Sequence, residues 1–119
     1  VTPVERIGIV GAGTMGTGIA LIACLGRFDT RIYDPDENAL VDAQVNVGEM
    51  LAEGSGRRWE PEDAEAASGR LSAAATIDEL CGCDLLIEAA PEDLALKRRI
   101  FSQLAAACGP DAILATNTS

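Results

Sequence analysis

Hydrophobic and polar positions fall into blocks along this chain, and the period changes from block to block. The run "ERIGIV" (5–10) is short and apolar and stops at Gly11, the pattern of a strand buried on both faces of a parallel sheet. "TMGTGIALIACLG" (14–26) is apolar on nearly every side of a helix, which predicts burial all round, with Gly26 as its stop. "DTRIYD" (29–34) returns to a strand pattern and ends at Asp34. Pro35 then opens a long helix at about 36–53, with Leu40, Val41, Val45, Val47, Met50 and Leu51 as its apolar positions.

The stretch "GSGRRWEPED" (54–63 with its leading glycine) breaks the pattern: its glycines, two arginines and an exposed Trp59 predict a loop, then a short helix near Pro61. "RLSAAAT" reads as a weak third strand and "IDEL" as a short helix. "CDLLIEAA" reads as a strong strand that Pro91 interrupts. In "LALKRRIFSQLAAACG", Leu96, Ile100, Leu104 and Ala107 share one helical face, with Lys97, Arg98 and Arg99 off it. Gly109-Pro110 ends that helix, and "AILATNTS" makes the last strand. Strands alternating with helices predict an α/β fold: a doubly wound (Rossmann), mostly parallel sheet in a three-layer α/β/α sandwich.

Composition narrows the options. Residues 1–119 amount to one domain. Aromatics are only 3%, so the core must be built from Ala, Val, Ile and Leu. The formal net charge of −10 repels nucleic acid and anionic membranes, so an anionic ligand must be held by local features. No apolar run approaches the ~20 residues of a membrane span, and no signal peptide is visible, which predicts a cytoplasmic protein. Four cysteines without C-x-x-C spacing, and no histidine, argue against a metal site. Cys24 and Cys108 read as apolar fillers in helices and Cys81 and Cys83 as flanks of a turn glycine, all reduced thiols.

The candidate chemistry starts at Gly11, Gly13 and Gly16. A lone G-x-G-x-x-G is weak, but here it follows a strand and opens a helix. Gly11 permits the sharp turn, Gly13 leaves room for a pyrophosphate, and Gly16 lets the helix pack closely. The backbone N–H groups and helix dipole around Gly13, Thr14, Met15 and Gly16 would hold the phosphates. Asp34 ends the second strand 18 residues after Gly16, where a carboxylate accepts from both ribose hydroxyls and repels a 2′-phosphate. This favours NAD(H) over NADP(H). FAD proteins, which share the turn, usually carry glutamate there. Arg31 has the strand parity of Tyr33 and reads as a surface charge.

"GAGTMGTGIA", "DLLIEAAPEDLALKRRIF" and "AILATNTS", in this order, resemble the NAD-binding domain of the 3-hydroxyacyl-CoA dehydrogenase family. The likeness runs along nearly the whole chain and is weakest over 54–80. It implies oxidation of the 3-hydroxyl of an L-3-hydroxyacyl-CoA to a ketone, with hydride passing to NAD, in fatty-acid metabolism. By this resemblance Glu92 and Lys97 approach the nicotinamide-side ribose. Asn117 and Ser119 face the reacting centre, with the serine at the substrate oxygen. Read without the resemblance, Glu92 and Asp93 also suit a helix N-cap, Lys97 a solvated helix face and Asn117 a turn. Glu88 is either functional or emerges at the sheet edge.

The family's general base is a histidine in the segment that follows N-T-S, and this chain has none. The expectation is therefore a truncated cofactor domain, inactive alone, lacking the helical C-terminal domain that completes the active site and the dimer. Uncovered apolar surface would favour homodimers of the fragment. Dehydrogenases of related 3-hydroxy acids or of carrier-bound hydroxyacyl groups stay open as alternatives. So does a stand-alone NAD-binding module without chemistry.

Overall fold

The computed structural model describes residues 3–90, 93–108 and 113–116. Five strands and four α-helices follow in order: β1 (Arg6–Val10), α1 (Thr14–Leu25), β2 (Asp29–Tyr33), α2 (Glu37–Gly54), α3 (Pro61–Ser68), β3 (Leu71–Ala73), β4 (Leu85–Glu88), α4 (Leu94–Cys108) and β5 (Ile113–Thr116). A 3-10 turn, Ile77–Leu80, sits between β3 and β4. The strands form one sheet in the order β3-β2-β1-β4-β5, and every neighbouring pair is parallel. The chain thus winds outward from β1 to β3, then crosses to β4 and winds the other way. That reversal, between β1 and β4, is where a doubly wound sheet opens a crevice at its carboxyl edge.

The strands alternate sides as a period of two requires. Ile7, Ile9 and Ile32 face α1, α2 and α3, where Ala20, Ala23, Val47 and Leu51 complete one core. Val10 and Leu86 face the other way, onto the 3-10 turn and α4, with Leu80, Ile100 and Leu104. Ile9 and Ile32 are fully buried and sit opposite each other in register. Each such side chain contributes about 1.5–3 kcal/mol relative to exposure. Gly8 leaves the second face flat, because a Cβ there would lie 2.7 Å from Leu86 Cδ2.

Neither long helix buries all its apolar positions. In α1 the buried stripe is Gly16, Thr17, Ala20, Ala23 and Cys24, while Ile22 is 71% exposed, so the expected all-round burial fails. In α2 the stripe is Ala43, Val47, Leu51 and Gly54; Val41 and Val45 lie on the opposite side, in solvent. A helix packed on one face of a sheet has room for one stripe, and 3.6 residues per turn select which. In α4 Ala107 is exposed, while its neighbour Cys108 turns inward.

Trp59 corrects a further expectation. It is half-buried, its ring lies on Gly54, and its Nε1 donates to Leu51 O at 2.9 Å. The glycine is what lets an indole close the corner between α2 and α3.

The cysteines also depart from the expectation of four reduced thiols. Cys81, just after the 3-10 turn, is disulfide-bonded to Cys108 at the end of α4, with Cα atoms 4.7 Å apart. The 27-residue separation hides this pairing from any local motif. Cys24 and Cys83 are free, and burial pushes both thiols above their ordinary pKa. No helix among the described residues is long and apolar enough to cross a membrane.

Candidate nucleotide site

The site is built at the carboxyl ends of β1, β2 and β4. After Val10 the chain enters Gly11, whose φ of 118° lies in the left-handed region. Gly11 N still donates to Tyr33 O at 2.8 Å, so the turn stays tied to β2. A Cβ on Gly11 would lie 2.8 Å from the Ala89 carbonyl carbon and 3.0 Å from Ala90 N. Only glycine lets the turn lie against the end of β4. Gly16 is equally constrained, because its Cβ would run into Gly11 O.

Gly13 is different. Its φ is −78°, and an added Cβ would meet nothing within 4 Å. It caps α1 with no side-chain hydrogen bond, and the first turn holds no acid. Gly13, Thr14 and Met15 are exposed, so the positive end of the helix faces open space. Such an open helix N-terminus suits an anionic group.

Asp34 directly follows β2 and is half-buried. Its Oδ2 accepts from Ala12 N and its Oδ1 from Asp36 N, both at 2.8 Å. One carboxylate thereby fixes the glycine turn and the approach to α2. Asp36 then caps that helix by accepting from Asn38 N and Ala39 N. A carboxylate offers about four acceptor sites, so Asp34 keeps capacity for two further donors.

Beside Asp34 lies a cavity of about 380 Å³. Val10, Gly11, Tyr33 and Asp34 line it from the sheet; Ile77 of the 3-10 turn and Leu96, Arg99 and Gln103 of α4 form the other wall. Apolar walls with a polar rim suit a flat heteroaromatic base whose sugar reaches Asp34. Ile77, Arg99 and Gln103 were not legible as site residues, although Leu96, Arg99 and Gln103 do lie at helical spacing. Arg31 is not part of the cavity: its Nη1 donates to Glu79 O at 2.7 Å and anchors the 3-10 turn. A wider groove of about 680 Å³ runs from Gly13 between α1 and α2, but Asp42, Glu49 and Glu53 give it the wrong sign for phosphate.

Glu88, the last residue of β4, is 1% exposed and sits between Val10 and Thr116 on the two neighbouring strands. It does not emerge at the sheet edge. Lys97 Nζ reaches to 3.8 Å from Glu88 Oε1, and the Lys97 side chain is itself buried. A solvated Lys97 is therefore excluded: the lysine borders the Ile100–Leu104 stripe and extends inward to the carboxylate. Glu92, Asn117 and Ser119 lie outside the described residues. Among the described residues, no group of three or more His, Cys, Asp or Glu is placed to hold a metal.

Residues 6–119 match the family model described as 3-hydroxyacyl-CoA dehydrogenase, NAD binding domain. The chain belongs to this family. It is an NAD-binding domain, and its open Gly13 shelf and the cavity beside Asp34 fit the dinucleotide. A 3-hydroxybutyryl-CoA dehydrogenase of Bradyrhizobium diazoefficiens is 38% identical over 117 residues, covering 98% of this chain and 40% of the relative. The human peroxisomal bifunctional enzyme is 37% identical over 123 residues, covering 98% of this chain and 16% of that protein. The crystal structure of 3-hydroxybutyryl-CoA dehydrogenase from Escherichia coli K12 superposes with a TM-score of 0.93 at 36% identity, covering 99% of this chain and 25% of that one. The chain therefore spans well under half the length of these relatives.

Proposed function

We propose that this chain is the cofactor half of a dehydrogenase that oxidises the 3-hydroxyl of a 3-hydroxyacyl-CoA thioester. The observation that carries the reading is the pairing of an open, exposed shelf at Gly13 with a cavity lined by Gly11 of the same turn and by Asp34, at the switch between β1 and β4. Bound there, NAD supplies the hydride acceptor.

The chain's own residues then have distinct tasks. N–H groups of Gly13, Thr14 and Met15 hold the pyrophosphate, and Gly11 and Gly16 shape the turn that presents them. Asp34 accepts from the adenosine ribose, and Ile77, Leu96, Arg99 and Gln103 enclose the base. Lys97, held by Glu88, and Glu92 serve the nicotinamide-side ribose. Asn117 and Ser119 face the substrate, with the Ser119 hydroxyl at its 3-oxygen. The general base that takes the hydroxyl proton is supplied by a histidine of a further, helical domain, which also carries the homodimer contacts. The setting is cytoplasmic fatty-acid metabolism.

Titration with NADH, followed by nicotinamide fluorescence, tests the cofactor assignments. Saturable enhancement is expected, with NADPH at least about tenfold weaker, a difference of about 1.4 kcal/mol. No enhancement at millimolar NADH removes the reading, and equal affinity for NADPH removes the role of Asp34. A second reading is an NAD-holding module without chemistry. Reading the gene beyond Ser119 separates the two: a frame encoding a histidine-bearing helical domain supports the dehydrogenase, and a stop codon the module.

A further inference from the structure

The Cys81–Cys108 bond joins the two elements that form one wall of the nucleotide cavity. Ile77 opens the 3-10 turn and lines the cavity, and Cys81 immediately follows that turn. Leu96, Arg99 and Gln103 line it from α4, and Cys108 is the last residue of that helix. The principal packing partner of α4 is this turn, through Leu80 against Ile100 and Leu104. Leu80 also seats the turn on Val10 and Leu86 of the sheet, and its hydrogen bonds at this end are exposed. Arg31 donates to Glu79 O, and Glu79 accepts from the backbone N–H groups of Ala75 and Thr76. The disulfide is therefore the covalent tie between turn and helix.

We propose that Cys81–Cys108 is a thiol-addressable modification site that sets the affinity of the adenine end of the cleft. Closed, the bond holds the 3-10 turn against α4 and keeps the cavity at the width of the base. Opened, it lets the two elements part, and nucleotide affinity falls. The inference rests on the reading of this cavity as the adenine subsite.

The partner is a dithiol reductant. One of its thiolates attacks either sulfur, forming a mixed disulfide and releasing the other cysteine as a thiolate. Its second thiolate then displaces the remaining cysteine. Two electrons pass to the protein, the reductant leaves as a disulfide, and both cysteines end as thiols once protonated. Cys81 and Cys108 are only half-buried, so a small dithiol can reach them. Cys83 is two residues from Cys81, but burial pushes its thiol up, which keeps it protonated and a poor competitor for the bond.

The test measures binding of NADH, and of AMP as a probe of the adenine end alone, to the oxidised chain and after dithiothreitol. Far-UV circular dichroism is recorded in both states. Reduction is expected to raise the Kd of both ligands by at least about fivefold, with reoxidation restoring them. By linkage, saturating NADH should raise the dithiothreitol concentration needed for half-reduction by the same factor. The double variant C81S/C108S should bind like the reduced chain and ignore dithiothreitol, whereas C83S should keep the full response. Equal affinity in both states overturns the proposal while leaving the nucleotide site intact, and so does loss of the helical signal on reduction. Absence of binding in both states removes the adenine reading as well.

Discussion

At Gly13 an added methyl group would meet nothing within 4 Å, whereas at Gly16 it would run into Gly11 O. The same substitution should therefore cost the fold little at one position and more at the other, three residues apart. Gly13→Ala is expected to cost only about 0.5–1 kcal/mol, the difference between glycine and alanine at a helix N-cap. NADH binding should nevertheless be lost, because the methyl fills the shelf we propose for the pyrophosphate. Gly16→Ala should lower stability by about 1–3 kcal/mol through overpacking and lose binding with it. Urea unfolding alongside NADH titration separates the two cases. The motif was legible because three glycines at fixed spacing carry backbone information. Their different burdens were not, since each depends on atoms brought in from β4 or from the turn itself. Asp84 was equally invisible. Its Oδ2 accepts from Glu5 N at 2.9 Å and Arg6 N at 3.0 Å, and those two bonds hold its carboxyl below the usual carboxylate range. A depressed folded-state pKa contributes stability at neutral pH that is lost as the pH falls below about 4. Asp84→Asn should accordingly lower the urea midpoint at pH 7, by an amount that shrinks as the pH falls through the depressed folded-state pKa.

Among the elements, α4 shows best how a helix pattern can be right and still misplace a side chain. Its span and its Ile100–Leu104 stripe follow from periodicity, but periodicity alone assigns Lys97 to the charged face. The lysine sits at the margin of the stripe, and its long stem lets the ammonium reach Glu88 in the neighbouring strand. Sequence reading cannot see this, because the carboxylate that draws Lys97 inward lies on β4, brought close only by the fold. Breaking a buried pair leaves the remaining charge without its counter-ion, at a cost of about 3–5 kcal/mol. Lys97→Met should therefore destabilise by about 3 kcal/mol in chemical denaturation. Glu88→Gln combined with Lys97→Met should recover part of that loss, since no net charge is then left inside. An additive double variant would show that the two groups are energetically independent.

For the whole molecule, the alternation of strands and helices was enough to anticipate a parallel doubly wound sheet, because each strand's flanks carry turn or cap signals. What escaped was the staple across the sheet's second face. Cysteine pairing depends on Cα positions, and nothing in "CGC" or "AAAC" encodes a 4.7 Å approach. Closing the loop between Cys81 and Cys108 should stabilise the fold by about 3 kcal/mol, mainly by restricting the unfolded chain. The bond lies on the α4 side of the sheet, whereas Trp59, the single tryptophan, packs at the α2–α3 corner on the other. Its fluorescence therefore reports on a part of the molecule that the disulfide does not touch. If the two faces unfold together through β1, whose alternate residues serve both cores, reduction must shift the tryptophan transition and the far-UV transition in urea equally. A shift in the far-UV signal alone would show that α4 and the 3-10 turn unfold as a separate unit. In that event, the loss of affinity on reduction would trace to melting of one wall of the cavity rather than to its widening.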